Sequence, residues 1–212
     1  MEDIVPNAPD KDGTAAAAPD LAALIGSRIC HDLTNPLGAI GNGLELLELG
    51  GQTGSPEMAL IAQSVAHARA QVQFLRVAFG AAGAGHRMGG VELSGLVADR
   101  GRGGRVRIDW PADLGAPRTE AKLVFLMLMC METALPFGGS ISVAQAEGRW
   151  RLLAEAERIR DLGPLWPGLA GRAALPEIAP PQVQFALALD TATRLGRTIT
   201  VQEGDGSLIL TS

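Results

Sequence analysis

The sequence is short of the features that mark secreted, membrane-spanning and nucleic-acid-binding proteins. It has 2 cysteines in 212 residues, too few for a disulfide framework, so we expect Cys30 and Cys130 to be reduced, buried thiols of a cytoplasmic protein. No apolar run approaches the ~20 residues of a membrane span, and the acidic N-terminal stretch lacks the apolar core of a secretory signal. A net charge of −5 without a basic block argues against nucleic-acid binding. His31, His67 and His86 lack the spacing of zinc ligands, and we expect no metal site.

The composition is that of a globular protein with an N-terminal tail. A hydrophobic share of 47% with 19% charged residues is ordinary for a soluble domain, and the length admits one large domain or two small ones. Residues 1–18 are rich in Ala, Pro and Asp, and we expect a disordered tail there. A Gly- and Ala-rich stretch at residues 82–90 is typical of a linker. The sequence therefore predicts two folded parts, at residues 19–81 and 91–212.

The first part, residues 19–81, has the pattern of two amphipathic helices. Apolar and small residues recur every three or four positions over 23–47, which predicts a first helix with a kink at Pro36. A second helix begins at Pro56, after a Gly-rich loop at 50–54. Its apolar seam consists of Met58, Ile61, Val65, Ala68, Val72, Leu75 and Phe79. Because such an antiparallel hairpin cannot bury both apolar stripes alone, we expect two copies to form a dimeric four-helix bundle.

The second part, residues 91–212, alternates helical and strand patterns. Because helices are interspersed with hairpin-like strand pairs, the order predicts an α+β sandwich with helices on one face of a largely antiparallel sheet. The expected elements are a helix at 91–99, a strand at 105–110, an apolar helix at 119–135, strands at 140–146 and 149–155, an irregular stretch at 161–179, a helix at 182–195, and strands at 198–202 and 207–211.

One motif stands out, H-D-L-T-N-P at residues 31–36, inside the first predicted helix. His31 lies one residue past a seam position, which rotates it towards solvent, and its neighbours on that face are Asn35, Gly38 and Asn42. These small side chains leave room for another macromolecule to reach the ring. An imidazole is nucleophilic near neutral pH because its ordinary pKa is about 6.5. A single helical histidine is usually an ordinary residue, but here the flanking D-x-x-N-P favours a reactive group.

The H-D-L-T-N-P motif on a helical hairpin resembles the dimerisation and phosphotransfer domain of bacterial sensor histidine kinases. The element order of residues 91–212 resembles their ATP-binding domain, but the nucleotide motifs are altered. Thr133-Ala134-Leu135 stands where a kinase has N-A-L, no Asn follows Asn42, Ala179-Pro180-Pro181-Gln182-Val183 stands where a glycine-rich run is expected, and Asp161-Leu162-Gly163 is half of a D-x-G-x-G box. This combination resembles the ChpT family of histidine phosphotransferases, which look like a kinase core without ATP binding.

The resemblance implies a histidine phosphotransferase that carries a phosphoryl group on His31 between the receiver domain of a hybrid kinase and response regulators. It implies that Asp32 orients the imidazole or takes its proton, and that Asn35 approaches the partner's phosphoryl site. Asp32 is explained equally well as a surface acid paired with Arg28. The resemblance also implies a cytoplasmic homodimer without ATP, with Mg²⁺ in the partner receiver domain. We expect the partner to contact Leu24, Ser27, Arg28, Gly38 and Asn42.

Two other functions stay open at this point. The chain is alternatively a histidine kinase fragment that phosphorylates itself from ATP, although the altered nucleotide motifs argue against it. A third possibility is a dimeric adaptor that binds receiver domains without taking phosphate, and the sequence separates this function poorly from phosphotransfer.

Overall fold

The computed structural model describes residues 21–50, 56–80, 85–102 and 104–212 of the chain. Within the first helix it describes the backbone throughout, but not the side chains of residues 21–24, 26–27, 30–31, 34, 44–45 and 48–49. The predicted tail, most of the predicted loop at 50–54 and the start of the predicted linker lie outside the described residues.

The described elements follow the predicted order with few differences. In chain order they are α1 (Leu21–Gly50), α2 (Pro56–Ala78), β1 (Arg87–Met88), α3 (Gly90–Gly101), β2 (Val106–Asp109), β3 (Ala116–Pro117), α4 (Arg118–Ala134), β4 (Gly139–Ala146), β5 (Arg149–Glu155), α5 (Leu165–Leu169), a 3-10 turn (Pro180–Gln182), α6 (Val183–Arg194), β6 (Thr200–Gly204) and β7 (Ser207–Thr211). The α+β class is confirmed.

The N-terminal hairpin consists of α1 packed against α2, as the apolar spacing predicts. α1 continues through Pro36, which costs one backbone hydrogen bond without ending the helix. Gly43 lies where the two helices approach closely, since a Cβ there would stand 2.5 Å from Ile61 Cγ1. The helix pair therefore uses a glycine to bring its backbones together.

The second part is a five-stranded sheet with the order β2-β4-β5-β7-β6. β2 runs parallel to β4, because α4 crosses over between them, and the other neighbouring pairs are antiparallel. The largely antiparallel sheet is thus confirmed. α4 supplies much of the core, and Met127, Met129 and Met131 are buried there as core residues. Cys130 is a free, fully buried thiol among them.

The C-terminal end of α2 is built into the core of the second part. Phe74 of α2 stacks on Phe125 of α4 with ring centroids 4.6 Å apart. Arg118 donates to the carbonyl of Val77 at 2.8 Å, and Lys122 Nζ donates to the carbonyl of Gly80 at 3.1 Å. These cations satisfy carbonyls that the end of a helix leaves unpaired. The helical hairpin and the sheet are therefore joined by both apolar packing and charge-assisted bonds.

Two details of the predicted element order were wrong. Arg87–Met88, in the predicted linker, pairs as β1 with Ala116–Pro117 as β3, and such two-residue strands are too short to show alternation. The short helix α5 lies within the stretch predicted to be irregular. Its 5 residues include Pro167 and Gly168, which mask a helical pattern. Among the described helices, none is both long and apolar enough to cross a bilayer.

Candidate functional site

The H-D-L-T-N-P motif lies in the middle of α1. The backbone of His31 is helical, and its side chain is outside the described part of the structure. The helix continues for several turns on either side, so the motif sits on a rigid element rather than on a loop. Its position is set by the packing of α1 on α2 and, beyond the hairpin, on the 3-10 turn before α6.

Asp32, next to the histidine, accepts hydrogen bonds from side chains of both hairpin helices. Arg28 Nε donates to Asp32 Oδ2 at 2.7 Å, and Gln71 Nε2 of α2 donates to the same oxygen at 3.1 Å. The Asp32 side chain is 9% exposed. The pairing with Arg28 considered for Asp32 is therefore present, but the carboxylate is largely buried between α1 and α2 rather than a solvated surface acid.

Three of the predicted site residues share an exposed face of α1. Asn35, Gly38 and Asn42 are all exposed. An added Cβ at Gly38 or Gly41 would meet nothing within 4 Å. The glycines on this face are thus not required by packing within the chain. Open space beside Asn35 is the geometry that an approaching macromolecule needs.

Arg28 is tied into the protein instead of projecting freely towards a partner. Its Nε bonds to Asp32, and its Nη1 donates to the carbonyl of Pro181 at 3.2 Å. The residue thus links the motif on α1 to the 3-10 turn of the second part. Leu24 and Ser27, the other predicted contacts in this part of α1, have side chains outside the described residues.

Thr133, which stands where the sequence resemblance places the asparagine of a kinase, is hydrogen-bonded within the chain. Thr133 Oγ1 donates to the carbonyl of Met129 at 2.9 Å and accepts a bond from Gln184 Nε2 at 3.0 Å. Gln184 is fully buried and also donates to the carbonyl of Pro181 at 2.9 Å. Its Oε1 has no hydrogen-bond partner among the described residues. Thr133 offers no carboxamide to a metal ion, and its hydroxyl is engaged in hydrogen bonds within the chain.

The half-box Asp161-Leu162-Gly163 is a local turn. The backbone N–H of Gly163 donates to Asp161 Oδ1 at 2.7 Å, and Gly163 has a φ of 53°. An Asx turn of this kind uses the carboxylate for its own backbone. The interpretation of this segment as a chance loop agrees with that geometry.

Sequence reasoning missed Gln71 as part of the site. It lies on α2, 39 residues from Asp32, and the helical pattern marks it only as a polar position beside the apolar seam. No local signal indicates its partner, because the contact depends on how α2 is rotated against α1. The other histidines, His67 and His86, are exposed.

A family model described as "Histidine phosphotransferase C-terminal domain" matches residues 91–207, more than half of the chain. The chain belongs to the histidine phosphotransferase family. The resemblance found in the sequence is thereby confirmed. The matched residues make up the degenerate second part and do not include α1, so the roles of His31, Asp32 and Asn35 stay predictions.

Two relatives support the family assignment. The protein phosphotransferase ChpT of Brucella abortus (strain 2308) is 43% identical over 129 residues, which is 60% of this chain. The match spans 61% of that relative's own length. The structure titled "1.7 Angstrom Structure of a Bacterial Phosphotransferase" superposes with a TM-score of 0.75 at 31% identity, covering 91% of this chain and 95% of the other. The second match includes the helical hairpin in its coverage, so the whole architecture is that of a phosphotransferase.

Proposed function

We propose that this chain is the phosphocarrier of a bacterial phosphorelay. His31 takes a phosphoryl group from an aspartate in the receiver domain of a hybrid kinase and passes it to an aspartate of a response regulator. The observation that carries the proposal is the H-D-L-T-N-P motif on a rigid helix beside the exposed residues Asn35 and Gly38, in a chain of the histidine phosphotransferase family.

The transfer step needs little beyond a nucleophile, a base and in-line positioning. One imidazole nitrogen of His31 attacks the phosphorus of the partner's acyl phosphate. The P–N bond forms as the P–O bond breaks, and the electron pair leaves with the partner's carboxylate. The proton on the other ring nitrogen passes to Asp32 or to water, which leaves a neutral phosphorylated ring. Transfer to the next receiver is the reverse of these events.

The partner receiver lies on the exposed face of α1. Asn35 approaches the phosphoryl site, and Gly38 and Asn42 leave room for a helix of the receiver. We also expect the receiver to contact Leu24 and Ser27, which precede the motif in α1. Arg28 contributes by fixing Asp32 and the second part of the chain, since its guanidinium is engaged within the protein. Whether the second part also touches the receiver is a separate hypothesis that a truncation would test.

A second copy of the chain covers the apolar seam of α2. Met58, Val65 and Val72 follow one another at seven-residue steps and are exposed, with Val72 41% exposed. Leu37 of α1 is 59% exposed. Exposed apolar residues at this spacing are typical of one half of a four-helix bundle. The homodimer predicted from the sequence is supported by this uncovered face.

The chain supplies no ATP and no metal ion to the reaction. Mg²⁺ belongs to the acidic pocket of the partner receiver, and the phosphoryl group arrives already activated as an acyl phosphate. The committed hydroxyl of Thr133 and the buried Gln184 support a carrier that does not phosphorylate itself. We place the activity in the cytoplasm, where a thiol such as Cys130 stays reduced.

A radiolabel transfer experiment tests the proposal. A receiver domain charged by its own hybrid kinase with γ-labelled ATP is freed of nucleotide and incubated with the full chain, with His31→Gln, and with the matched controls His67→Gln and His86→Gln. We expect label on the wild type and on both controls, and none on His31→Gln. Label on His31→Gln, or its loss in His67→Gln, overturns the assignment of His31.

The same labelling experiment distinguishes the phosphocarrier from the alternative functions. Label on no variant, with the receiver still bound, identifies a non-enzymatic adaptor. Label that reaches the chain from ATP without any receiver identifies a histidine kinase fragment. Both outcomes contradict the phosphocarrier proposal.

A further inference from the structure

Gln71 is a buried polar residue at the junction of the two hairpin helices. It is 7% exposed, and its Nε2 donates to Asp32 Oδ2. Removing an amide from water is unfavourable unless it is hydrogen-bonded. The bond to Asp32 therefore gives Gln71 its reason to be buried, and a plain apolar residue would satisfy helix packing at this position as well.

Arg28 and Gln71 donate to Asp32 from different elements. Arg28 is on α1 itself, one turn before Asp32, and its Nη1 also donates to the carbonyl of Pro181, so it ties the carboxylate to its own helix and to the 3-10 turn but not to α2. Gln71 is on α2 and restrains the same Oδ2 relative to the neighbouring helix. Because hydrogen bonds to an ionised acceptor are stronger than neutral ones, the pair holds the Asp32 carboxylate in one orientation.

That orientation matters for the histidine beside it. Adjacent positions on a helix point about 100° apart, so a carboxylate that serves the neighbouring imidazole must be turned towards it. A carboxylate that is free to sample other rotamers would face the imidazole for only part of the time. In efficient catalytic sites, supporting side chains commonly hold the catalytic group in its productive orientation.

We propose that Gln71 is a positioning residue for phosphoryl transfer, acting on His31 only through the Asp32 carboxylate. The inference rests on the proposed function, in which Asp32 orients the imidazole or takes its proton. It assigns a role in the reaction to α2, and it predicts that the rate of transfer depends on a residue that does not touch the partner.

The test measures transfer rates from a radiolabelled phospho-receiver in the full-length chain by rapid quench, over a range of receiver concentrations. Gln71→Met keeps the length of the side chain but removes the donor. Gln73→Met makes the same change at an exposed position of α2 as a matched control. We expect Gln71→Met to lower kcat about tenfold with KM unchanged, because a positioned group is lost while the docking surface is intact. Gln73→Met retains the wild-type kcat.

Two further variants separate positioning from a structural role. Gln71→Lys restores a donor to Asp32 and is expected to recover most of the wild-type kcat. In an Asp32→Ala background, Gln71→Met is expected to cause no additional loss, since residues that act through a common group are not additive. Melting curves establish which variants are folded. If Gln71→Met does not fold, the kcat of Gln71→Lys is compared with that of the wild type instead.

The outcomes distinguish this inference from the function on which it rests. An unchanged kcat in Gln71→Met, equal losses in Gln71→Met and Gln71→Lys, or a loss that persists in Asp32→Ala overturns the positioning role and leaves His31 as the phosphocarrier. Full-rate transfer by Asp32→Ala overturns the role of Asp32 and, with it, that of Gln71. Label on His31→Gln overturns the proposed function itself.

Discussion

Gln184 on α6 donates its side-chain amide to the hydroxyl of Thr133 on α4 at 3.0 Å. The bond joins a fully buried residue to the position where a kinase would carry the asparagine that binds its metal ion. At this position the chain has an internal hydrogen bond that joins α4 to α6.

Restoring the asparagine is not expected to restore nucleotide binding. In Thr133→Asn, Gln184 still occupies the adjoining space, and Pro180 and Pro181 still stand where a flexible glycine-rich run would approach phosphate. Calorimetry with Mg²⁺-ATP is therefore expected to give no binding heat for the wild type or for Thr133→Asn. A micromolar Kd for either protein contradicts this prediction and supports the kinase alternative.

Two glycines of α1 are expected to respond in opposite directions to alanine. A Cβ at Gly43 would stand 2.5 Å from Ile61 Cγ1, so Gly43→Ala forces the helices apart and is expected to lower the free energy of unfolding by ~1–3 kcal/mol. A Cβ at Gly38 meets nothing within 4 Å. Gly38→Ala is expected to raise the free energy of unfolding by up to ~1 kcal/mol through helix propensity. Urea unfolding followed by circular dichroism measures both changes.

A larger side chain at Gly38 tests the docking surface. Gly38 is exposed and a Cβ there meets nothing within 4 Å, so we expect the thermal midpoint of Gly38→Leu not to fall. In the proposed complex it stands in the path of the receiver, and we expect KM for the phospho-receiver to rise about tenfold, equivalent to ~1.4 kcal/mol. Transfer kinetics give the value, with Gly38→Ala as the smaller change for comparison. An unaltered KM places the receiver elsewhere on the chain.

Local sequence signals predicted the elements well and the contacts between them poorly. Periodicity placed α2, β4 and β5 within one or two residues, because burial alternates with the period of the element itself. The H-D-L-T-N-P motif was likewise visible because its residues share one helix. The bonds from Gln71 to Asp32 and from Arg28 to Pro181 join residues 39 and 153 positions apart. Such contacts depend on helix rotation and domain docking, which no local pattern encodes.

The apolar seam of α2 shows the same difference between what a local pattern predicts and what depends on contacts between elements. The spacing predicted an apolar stripe that a second copy of the chain covers, and within one chain Met58, Val65 and Val72 are exposed. The face that this chain buries instead includes Phe74 and Val77, which pack into the core of the second part. The helix thus has two apolar faces, one for the fold and one left uncovered.

The uncovered face predicts the effect of a charge at its centre. The wild-type chain is expected to elute with twice its monomer mass of 22.0 kDa, measured by light scattering at micromolar concentration. Val72→Glu buries a charge against a second copy and should yield a monomer. Val91→Glu makes the same change at a residue of α3 that is 76% exposed, and should leave the dimer intact. A monomeric wild type, or a dimeric Val72→Glu, contradicts the proposed bundle.

Burial raises the pKa of the Cys130 thiol well above its ordinary value of 9.0. The native state therefore keeps this proton at a pH where the unfolded chain has lost it, so folding stability falls as the pH rises above about 9. Below that pH both states are protonated and the group makes no pH-dependent contribution. Cys130→Ala removes the thiol and leaves a small cavity, which is a constant loss at every pH. We expect the difference in the free energy of unfolding between wild type and Cys130→Ala to be constant from pH 7 to 8. This difference should become smaller between pH 9 and 10.5, as measured by urea titrations. An increase in this difference between pH 9 and 10.5 contradicts the buried, neutral thiol.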